Sequence, residues 1–500
     1  MALFTVLQFL GFSLSSAFIL IGLLFQYYKL CSRLKPPTYP FLGCLIGFYK
    51  NRRRLLDWYT DLLAESPAQT IIVSRLGATR TIVTADPENV EYILKTRFDN
   101  FPKGKTFTDI LGDFLGRGIF NSDGSLWYAQ RKAATASHRF STRSLREYTA
   151  TTLGKGVNQR LLPILDRAST ENRVVDLQDL LRRLAFDSVC VVSLGRDPAS
   201  LHPSFPASPL ARSFDVASEI SARRAAAPVF ILWKIKRALG IGSEKVLREA
   251  IDHVHGSVTD LIRSRKAELI MEKTQKKDDL LSVLIEGGHE EEVIRDMVIS
   301  FIMAGRDTTS AALTWFFWLV SRHPEIEKQV VKEAEAWTWN NLDSYDGLKE
   351  MKMLEACLCE SMRLYPPVVW DSKHAVSDDA LPDGTGVRRG DRVTYFPYGM
   401  GRMERLWGKD WAEFRPARWM GDEGGVAPSR VSPFKFPVFQ AGPRVCLGKE
   451  MAFVQMKYVA ASVLRRFEIR PCSSRQPVFV PLLTAYMAGG FKVTLRRRGE

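Results

Sequence analysis

The sequence predicts a mainly α protein with small β-sheets, a single large body preceded by one N-terminal transmembrane helix. Three observations carry that reading: an uncharged apolar run from Ala2 to Tyr28, long helical patterns that far outweigh a few short strand-like runs, and no linker-like stretch that splits the remainder. With 46% hydrophobic and 25% charged residues among 500, the composition is globular, which excludes a disordered, collagenous or low-complexity chain. The charge balance, 70 − 55 = +15, favours acidic partners (anionic lipid, nucleic acid or an acidic protein) without choosing among them. Seven cysteines, an odd number spread from Cys31 to Cys472, do not make a disulfide framework and predict a reducing, cytosol-facing compartment.

Residues 1–30 are the predicted anchor. Leu7, Leu10, Phe12, Leu14, Phe18 to Ile21 and Leu23 to Phe25 supply the roughly 20 apolar residues that a spanning helix needs. A cleaved signal peptide would have a shorter apolar core, a basic residue before it and a small-x-small cleavage site. Lys29, Arg33, Lys35, Lys50, Arg52, Arg53 and Arg54 all follow the run, so the positive-inside rule puts everything after residue 30 in the cytosol and the N-terminus in a lumen. Residues 31–50 hold a hinge built on Pro36, Pro37 and Pro40, which lack N–H donors and favour a stiff, extended segment. Residues 51–500 form the body.

Within the body, Thr70 to Val73, Thr81 to Val83 and Arg392 to Phe396 read as strands. Loops are expected at 286–290, 339–346 and 421–432. The stretch from Glu291 to His323 opens on acidic residues and stops before Pro324, so it predicts a helix about 45 Å long that crosses the body. In its middle, Ala304-Gly305-Arg306-Asp307-Thr308-Thr309 interrupts the apolar pattern with poor helix formers. Such a notch predicts a cavity wall, or helical hydrogen bonds loosened to admit water.

The sharpest signal is Phe436 to Glu450, where Cys446 sits in a Gly- and Pro-bounded loop directly before a helical pattern from Glu450 to Phe467. A thiolate there meets free N–H groups and the positive end of the helix dipole, which lower its pKa and suit it to bind a metal. Gly442 and Gly448 are expected to allow the positive-φ turns and the close approach such a loop needs, and Arg444 to meet an acidic group of a bound cofactor. Cys357 and Cys359, two apart on a helix, cannot face one another as a metal pair. None of the seven histidines has metal-site spacing.

With Phe439, Gly442, Arg444, Cys446 and Gly448 completing F-x-x-G-x-R-x-C-x-G, the sequence resembles the haem-thiolate monooxygenases of the cytochrome P-450 superfamily. Further motifs fall in the family's order: Trp127 and Arg131 in W-x-x-x-R, Ala304 to Thr309 in A-G-x-D-T-T, Glu360 and Arg363 in E-x-x-R, and Phe414 to Trp419, whose Arg418 would complete a structural Glu-Arg-Arg cluster. The resemblance implies haem b, with Cys446 as the axial ligand of its iron and Trp127, Arg131, Ala304, Phe439, Gly442, Arg444 and Gly448 around it. It implies that Asp307 and Thr308 deliver protons, Asp307 connecting to solvent and able to swing toward a basic partner. A surface cation–aromatic pair for Trp127 with Arg131, and an exposed ion pair for Glu360 with Arg363, are the plainer readings of the same residues.

No nicotinamide- or flavin-binding unit is visible, so the resemblance implies electrons from NADPH through a separate flavoprotein, the cytochrome P-450 reductase. Lys132, Arg139, Arg143, Arg146, Lys435, Arg444 and Lys449 are candidates for its docking face. The anchor matches the microsomal members, which implies the endoplasmic reticulum membrane, crossed once, with a cytosolic body. Arg223 to Leu239, with Phe230, Ile231, Leu232, Trp233 and Ile235, suits a lipid-contacting entrance. No nucleic-acid partner is expected.

The runs Phe439 to Ala452, Ser361 to His374 and Tyr398 to Met403 resemble the plant fatty-acid ω-hydroxylases, which implies oxidation of the terminal carbon of a long apolar chain. A fatty acid leads; a sterol side chain and jasmonoyl-isoleucine are alternatives, and a reductase-independent isomerase or dehydratase is an alternative class that generally lacks the acid–threonine pair. Phe107, Ile110, Leu111, Phe114, Leu115, Met303, Val369, Trp370, Ala485, Tyr486 and Met487 are the wall positions the family implies. The sequence departs from its relatives after Arg131, where Lys132 and its neighbours are basic in place of a common acidic residue.

Overall fold

The computed structural model describes residues 36–39, 41–76, 78–136, 142–201, 208–225, 231–271, 279–336, 345–421 and 431–499, together with Gln26 and Ala227. The span predicted at 1–30 lies outside the described residues apart from Gln26, as do 31–35 of the hinge. Among the described residues no helix is long and apolar enough to cross a membrane.

The body is helical around one long central helix, Glu291–Ser321, which begins with Glu291 and Glu292 in its first turn and ends three residues before Pro324. It is apolar almost all round and buried accordingly. Its first half, with Val293, Met297, Val298 and Ile302, packs among Ile110 and Phe114 of the helix Gly104–Leu115 and Val254 and Val258 of the helix Ser243–Met271. Its second half, with Leu313, Trp315, Phe316 and Val320, packs against Leu354 and Leu358 of the helix Lys352–Leu364 and Val459 and Val463 of the helix Lys449–Arg466.

The helix runs unbroken through the notch. Thr308 Oγ1 donates to Ala304 O at 2.6 Å, satisfying itself one turn back, so the expected loosening of backbone bonds does not occur. Gly305 serves close packing instead: a Cβ there would lie 2.5 Å from Val189 Cγ2 on the helix Leu177–Leu194.

The main sheet has four strands in the order Thr70–Val73, Thr81–Thr84, Arg392–Tyr395, Asp371–His374. The outer pairings are antiparallel and the central one parallel, and one row across it reads Val73, Thr81, Arg392, His374. The three predicted strands are present to within a residue; Asp371–His374 is the addition.

Glu360 and Arg363 are fully buried, which removes the exposed-pair reading. Arg363 Nε and Nη2 both reach the Glu360 carboxylate at 2.8 Å, Arg418 Nε and Trp419 Nε1 join at 2.8 Å, and Arg415 N adds a fifth donor at 2.9 Å. Arg363 also donates to the carbonyls of Gly401, Trp411 and Glu413. A buried carboxylate so surrounded is stable, and removing its charge strands two guanidiniums. Glu360→Gln is expected to destabilise the protein by about 3–5 kcal/mol, read as a lowered denaturant midpoint; an unchanged midpoint would place that stabilisation elsewhere.

Candidate active site

The cysteine loop is shaped by two positive-φ residues. Gln440 has φ 61° and Gly442 φ 63°, and a Cβ on Gly442 would lie 2.1 Å from Leu94 O, so only glycine fits. Gly448 differs from expectation: its φ is −86°, and it caps the helix Lys449–Arg466 while leaving room beside Cys446, whose Sγ lies 3.9 Å from where a Cβ would stand. Cys446 N donates to Phe439 O at 2.8 Å, which closes the loop, and the side chain is exposed whereas Cys44, Cys190, Cys357 and Cys359 are buried. Crowding by the surrounding protein pushes the Cys446 thiol up, and the Gly448 N–H, Arg131 and Lys449 oppose it. The net direction is therefore opposite to the one expected from the helix start alone.

Trp127 is buried, with its ring 5.6 Å from that of Phe98, and the guanidinium above it at 4.5 Å belongs to Arg444. This corrects the surface Trp127–Arg131 pair. Arg444 also donates to Asp123 at 2.7 Å and Ser122 O at 3.0 Å. Burial lowers the Arg131 pKa, and the Cys446 thiolate opposes the shift.

A second group of charges next to Arg444 escaped the sequence reading. Lys103 Nζ lies 2.5 Å and Lys373 Nζ 2.9 Å from the buried Asp371 carboxylate, and the Tyr395 hydroxyl reaches both Asp371 and Gln440. Burial pushes the Asp371 carboxyl up, but the two lysines outweigh it and hold it well below the usual range. Burial likewise pulls Lys373 down, against the pull of Asp371. His374 Nδ1 donates to Lys103 O at 2.5 Å, which leaves its buried Nε2 without a partner.

At the central helix, Phe301, Ala304 and Thr308 share one face and are only half-buried. Beside them, Asp307 Oδ1 is buried without a hydrogen bond, 3.4 Å from Arg306 Nε and 3.7 Å from Arg182. Both guanidiniums instead donate to Asp215 of the helix Pro209–Ala225. Burial pulls the Arg306 pKa down, yet Asp307 and Asp215 together raise it. Arg306 was missed as a partner; its place directly before Asp307 in an apolar helix was the available signal.

The cytochrome P450 family model matches residues 34–487. The chain is 58% identical to cytochrome P450 94B1 of Arabidopsis thaliana, over 94% of this chain and 93% of that one. It is 46% identical to cytochrome P450 94A1 of Vicia sativa, over 93% and 90%. The chain belongs to the cytochrome P450 family.

A cytochrome P450 is a monooxygenase whose haem iron is held by a cysteine thiolate and whose electrons come from a redox partner. The residues present fit that group. One open thiol stands at a helix start, and of the charged groups nearby Lys103, Arg131, Lys373 and Arg444 outnumber Asp123 and Asp371 by 4 − 2 = 2, which matches the two carboxylates of a haem. The orphaned His374 Nε2 adds a polar atom in need of a partner.

The other expected residues divide. Lys132 and Arg143 are exposed as a docking face requires, Arg146 is paired with Asp346 at 2.9 Å, and Lys435 lies over the Trp407 ring at 4.6 Å. Arg444 is turned inward onto Asp123, so it leaves that face; Arg139 lies outside the described residues. On the helix Ile231–Leu239, Ile231, Leu232 and Ile235 are exposed as expected, but Trp233 is buried beneath Arg224; Phe230 lies outside the described residues. Ile110, Leu111, Phe114 and Leu115 cluster with Phe107 and Met303, whereas Val369, Trp370 and Ala485 belong to a second core and Met487 to a third. A cavity of about 790 Å³ under the helix Ile231–Leu239 is lined by charged side chains, including Asp113, Arg224 and Arg237, and by none of the expected wall residues.

Gly442→Ala is expected to cost roughly 1–3 kcal/mol through the clash with Leu94 O and to lower the haem content of the purified protein. Gly448→Ala, in contrast, keeps the melting temperature; equal loss in both would overturn the distinct roles given to the two glycines.

Proposed function

We propose that this monooxygenase hydroxylates the terminal (ω) carbon of a long apolar lipid chain, a fatty acid or a derivative of one. In this reading it is held by residues 1–30 in the endoplasmic reticulum membrane, crosses it once and works on the cytosolic side with electrons from NADPH through the cytochrome P-450 reductase. The observation that carries the chemistry is the pairing of an open Cys446 at a helix start with a polar notch at Asp307 and Thr308 on the helix that crosses the body. The substrate class rests on the motif runs around Ser361 to His374, Tyr398 to Met403 and Phe439 to Ala452, and on the apolar group Phe107, Ile110, Leu111, Phe114 and Met303.

Cys446 would hold the iron. Trp127, Arg131 and Arg444, joined by Lys103 and Lys373, would hold the haem carboxylates; Phe439, Gly442 and Gly448 shape the loop, and Ala304 would leave room for the haem beside the central helix. When bound, the haem supplies activation of dioxygen, with thiolate donation favouring cleavage of the O–O bond. Thr308 Oγ1 keeps its acceptor lone pairs free on the half-buried face because its own proton is given to Ala304 O. Asp307 keeps Oδ1 unbonded because Asp215 occupies Arg182 and Arg306, so it remains able to pass a proton from solvent toward Thr308. The largely apolar surroundings limit access of bulk water.

The deciding experiment titrates the purified haem protein with long-chain fatty acids, jasmonoyl-isoleucine and hydroxylated sterols, then identifies products formed with reductase and NADPH. Terminal hydroxylation of a fatty acid is the expected result; turnover of only the sterol or the conjugate would replace the substrate and keep the mechanism. Cys446→Ala is expected to abolish the thiolate-ligated carbonyl spectrum, and its retention would refute the ligand assignment. Thr308→Ala is expected to keep haem while product falls on the order of 10²-fold and reducing equivalents appear as peroxide; unchanged coupling would move the relay elsewhere.

A further inference from the structure

Two arginines at one end of the four-stranded sheet have no counter-ion among the described residues. Arg75 lies two residues beyond Val73, still extended and bridged to Gly43, and the row Val73, Thr81, Arg392 places Arg392 on the same face at the same end. The Arg75 guanidinium stands over the Phe48 ring, 4.1 Å from its centroid. Arg75 Nη1 and Arg392 Nε are both buried and make no hydrogen bond. Among the described residues no carboxylate forms an ion pair with either, and the titratable groups that act on Arg392 are Arg75, which repels it, the Tyr59 phenol and, across the strand, His374. Four fully buried guanidiniums are paired, Arg224 with Glu244, Arg265 with Asp279, Arg306 with Asp215 and Arg363 with Glu360, and Arg402, enclosed without an ion-paired carboxylate among the described residues, lies on the Tyr398 ring and donates to Tyr398 O. Two adjacent cations with orphaned donors, each partly open to the surface, form a recess suited to an anion from outside.

The position of the pair indicates the source of that anion. The segment Phe41 to Cys44 docks on this end of the sheet, with Cys44 N donating to Ser74 O at 2.7 Å and Leu76 N to Leu42 O at 3.3 Å. Around it, Phe41 is 94% exposed and Leu42, Ile72 and Leu76 are exposed too, an apolar rim beside a cationic recess. Only residues 29–38 separate Tyr39 from the uncharged apolar run, a reach of at most about 35 Å, so a membrane that holds the run lies close to this rim. Paired guanidinium forks match the several oxygens of a phosphate better than the two of a carboxylate.

We propose that Arg75 and Arg392 form a binding site for the phosphate of an anionic phospholipid headgroup at the membrane surface. The proposal rests on the anchor reading only for its closeness to the bilayer. A choline-bearing headgroup fits less well, because its cation meets two more cations.

The test uses the full-length haem protein in nanodiscs of phosphatidylcholine containing phosphatidic acid, with native mass spectrometry counting the lipids retained on release. Wild type is expected to keep one phosphatidic acid, and Arg75→Gln to lose it at least tenfold, with the carbonyl spectrum and melting temperature of both proteins alike. Arg75→Lys is expected to retain an intermediate fraction, and the double change with Arg392→Gln adds weight where it folds. Equal retention by wild type and Arg75→Gln, or equal retention of both lipids by wild type, overturns the proposal. One-for-one displacement by dodecanoate overturns it as well, in favour of a carboxylate site. Failure of the anchor reading shows separately as release of the protein from the bilayer, and short-chain phosphatidic acid in detergent then still compares wild type with Arg75→Gln.

Discussion

The arrangement depends most on one buried carboxylate. Glu360 binds Arg363, Arg418, the Trp419 indole and the backbone of Arg415, and through Arg363 it also captures carbonyls from Gly401 to Glu413. Burying these charges is costly, and the cost is offset only because almost every lone pair and N–H in the cluster is used. The consequence reaches the cysteine loop: Trp419 meets Phe436 at 4.7 Å between ring centroids, and Phe439 meets Phe453 at 5.3 Å. The loop carrying Cys446 is thus gripped near its start and at Phe439.

The polar networks of the body differ in how completely they close, and the difference follows their use. Around Glu360 nothing is left over, which suits a rigid joint. Around Asp371 two lysines share one carboxylate, so the group keeps a positive surplus together with Arg131 and Arg444. At the notch Asp215 holds both guanidiniums while Asp307 keeps an oxygen unbonded. A satisfied group stays where it is; an unsatisfied one is able to take a new partner, and these open ends collect where ligand chemistry is expected.

Local signals were legible where a residue's role is set by its near neighbours in the chain. The central helix was expected from Glu291 to His323 and runs from Glu291 to Ser321, because acidic residues at its start and Pro324 after its end act within a turn. The role of Gly442 followed from the turn it occupies. Glycine alone does not reveal whether it is there for φ or for space: Gly448 has φ −86° in place of the expected positive value, and a Cβ there would stand 3.9 Å from Cys446 Sγ, an ordinary contact. Gly305 is there for space, and the reason is Val189 on another helix.

By itself the sequence determined the helical class, three of the four strands of the main sheet to within a residue, the cysteine loop and the Asp307–Thr308 notch, since periodicity, caps and turn residues act over a few positions. The tertiary structure decided which charges meet. Lys103 finds Asp371 across 268 residues because the helix Gly104–Leu115 begins against the strand Asp371–His374, and Arg306 reaches Asp215 on the helix Pro209–Ala225, which itself packs mainly against the helix Ser243–Met271. It also turned Arg444 inward onto Trp127 and Asp123, away from any docking face. Such pairings are set by strand register and helix packing, which no local pattern encodes.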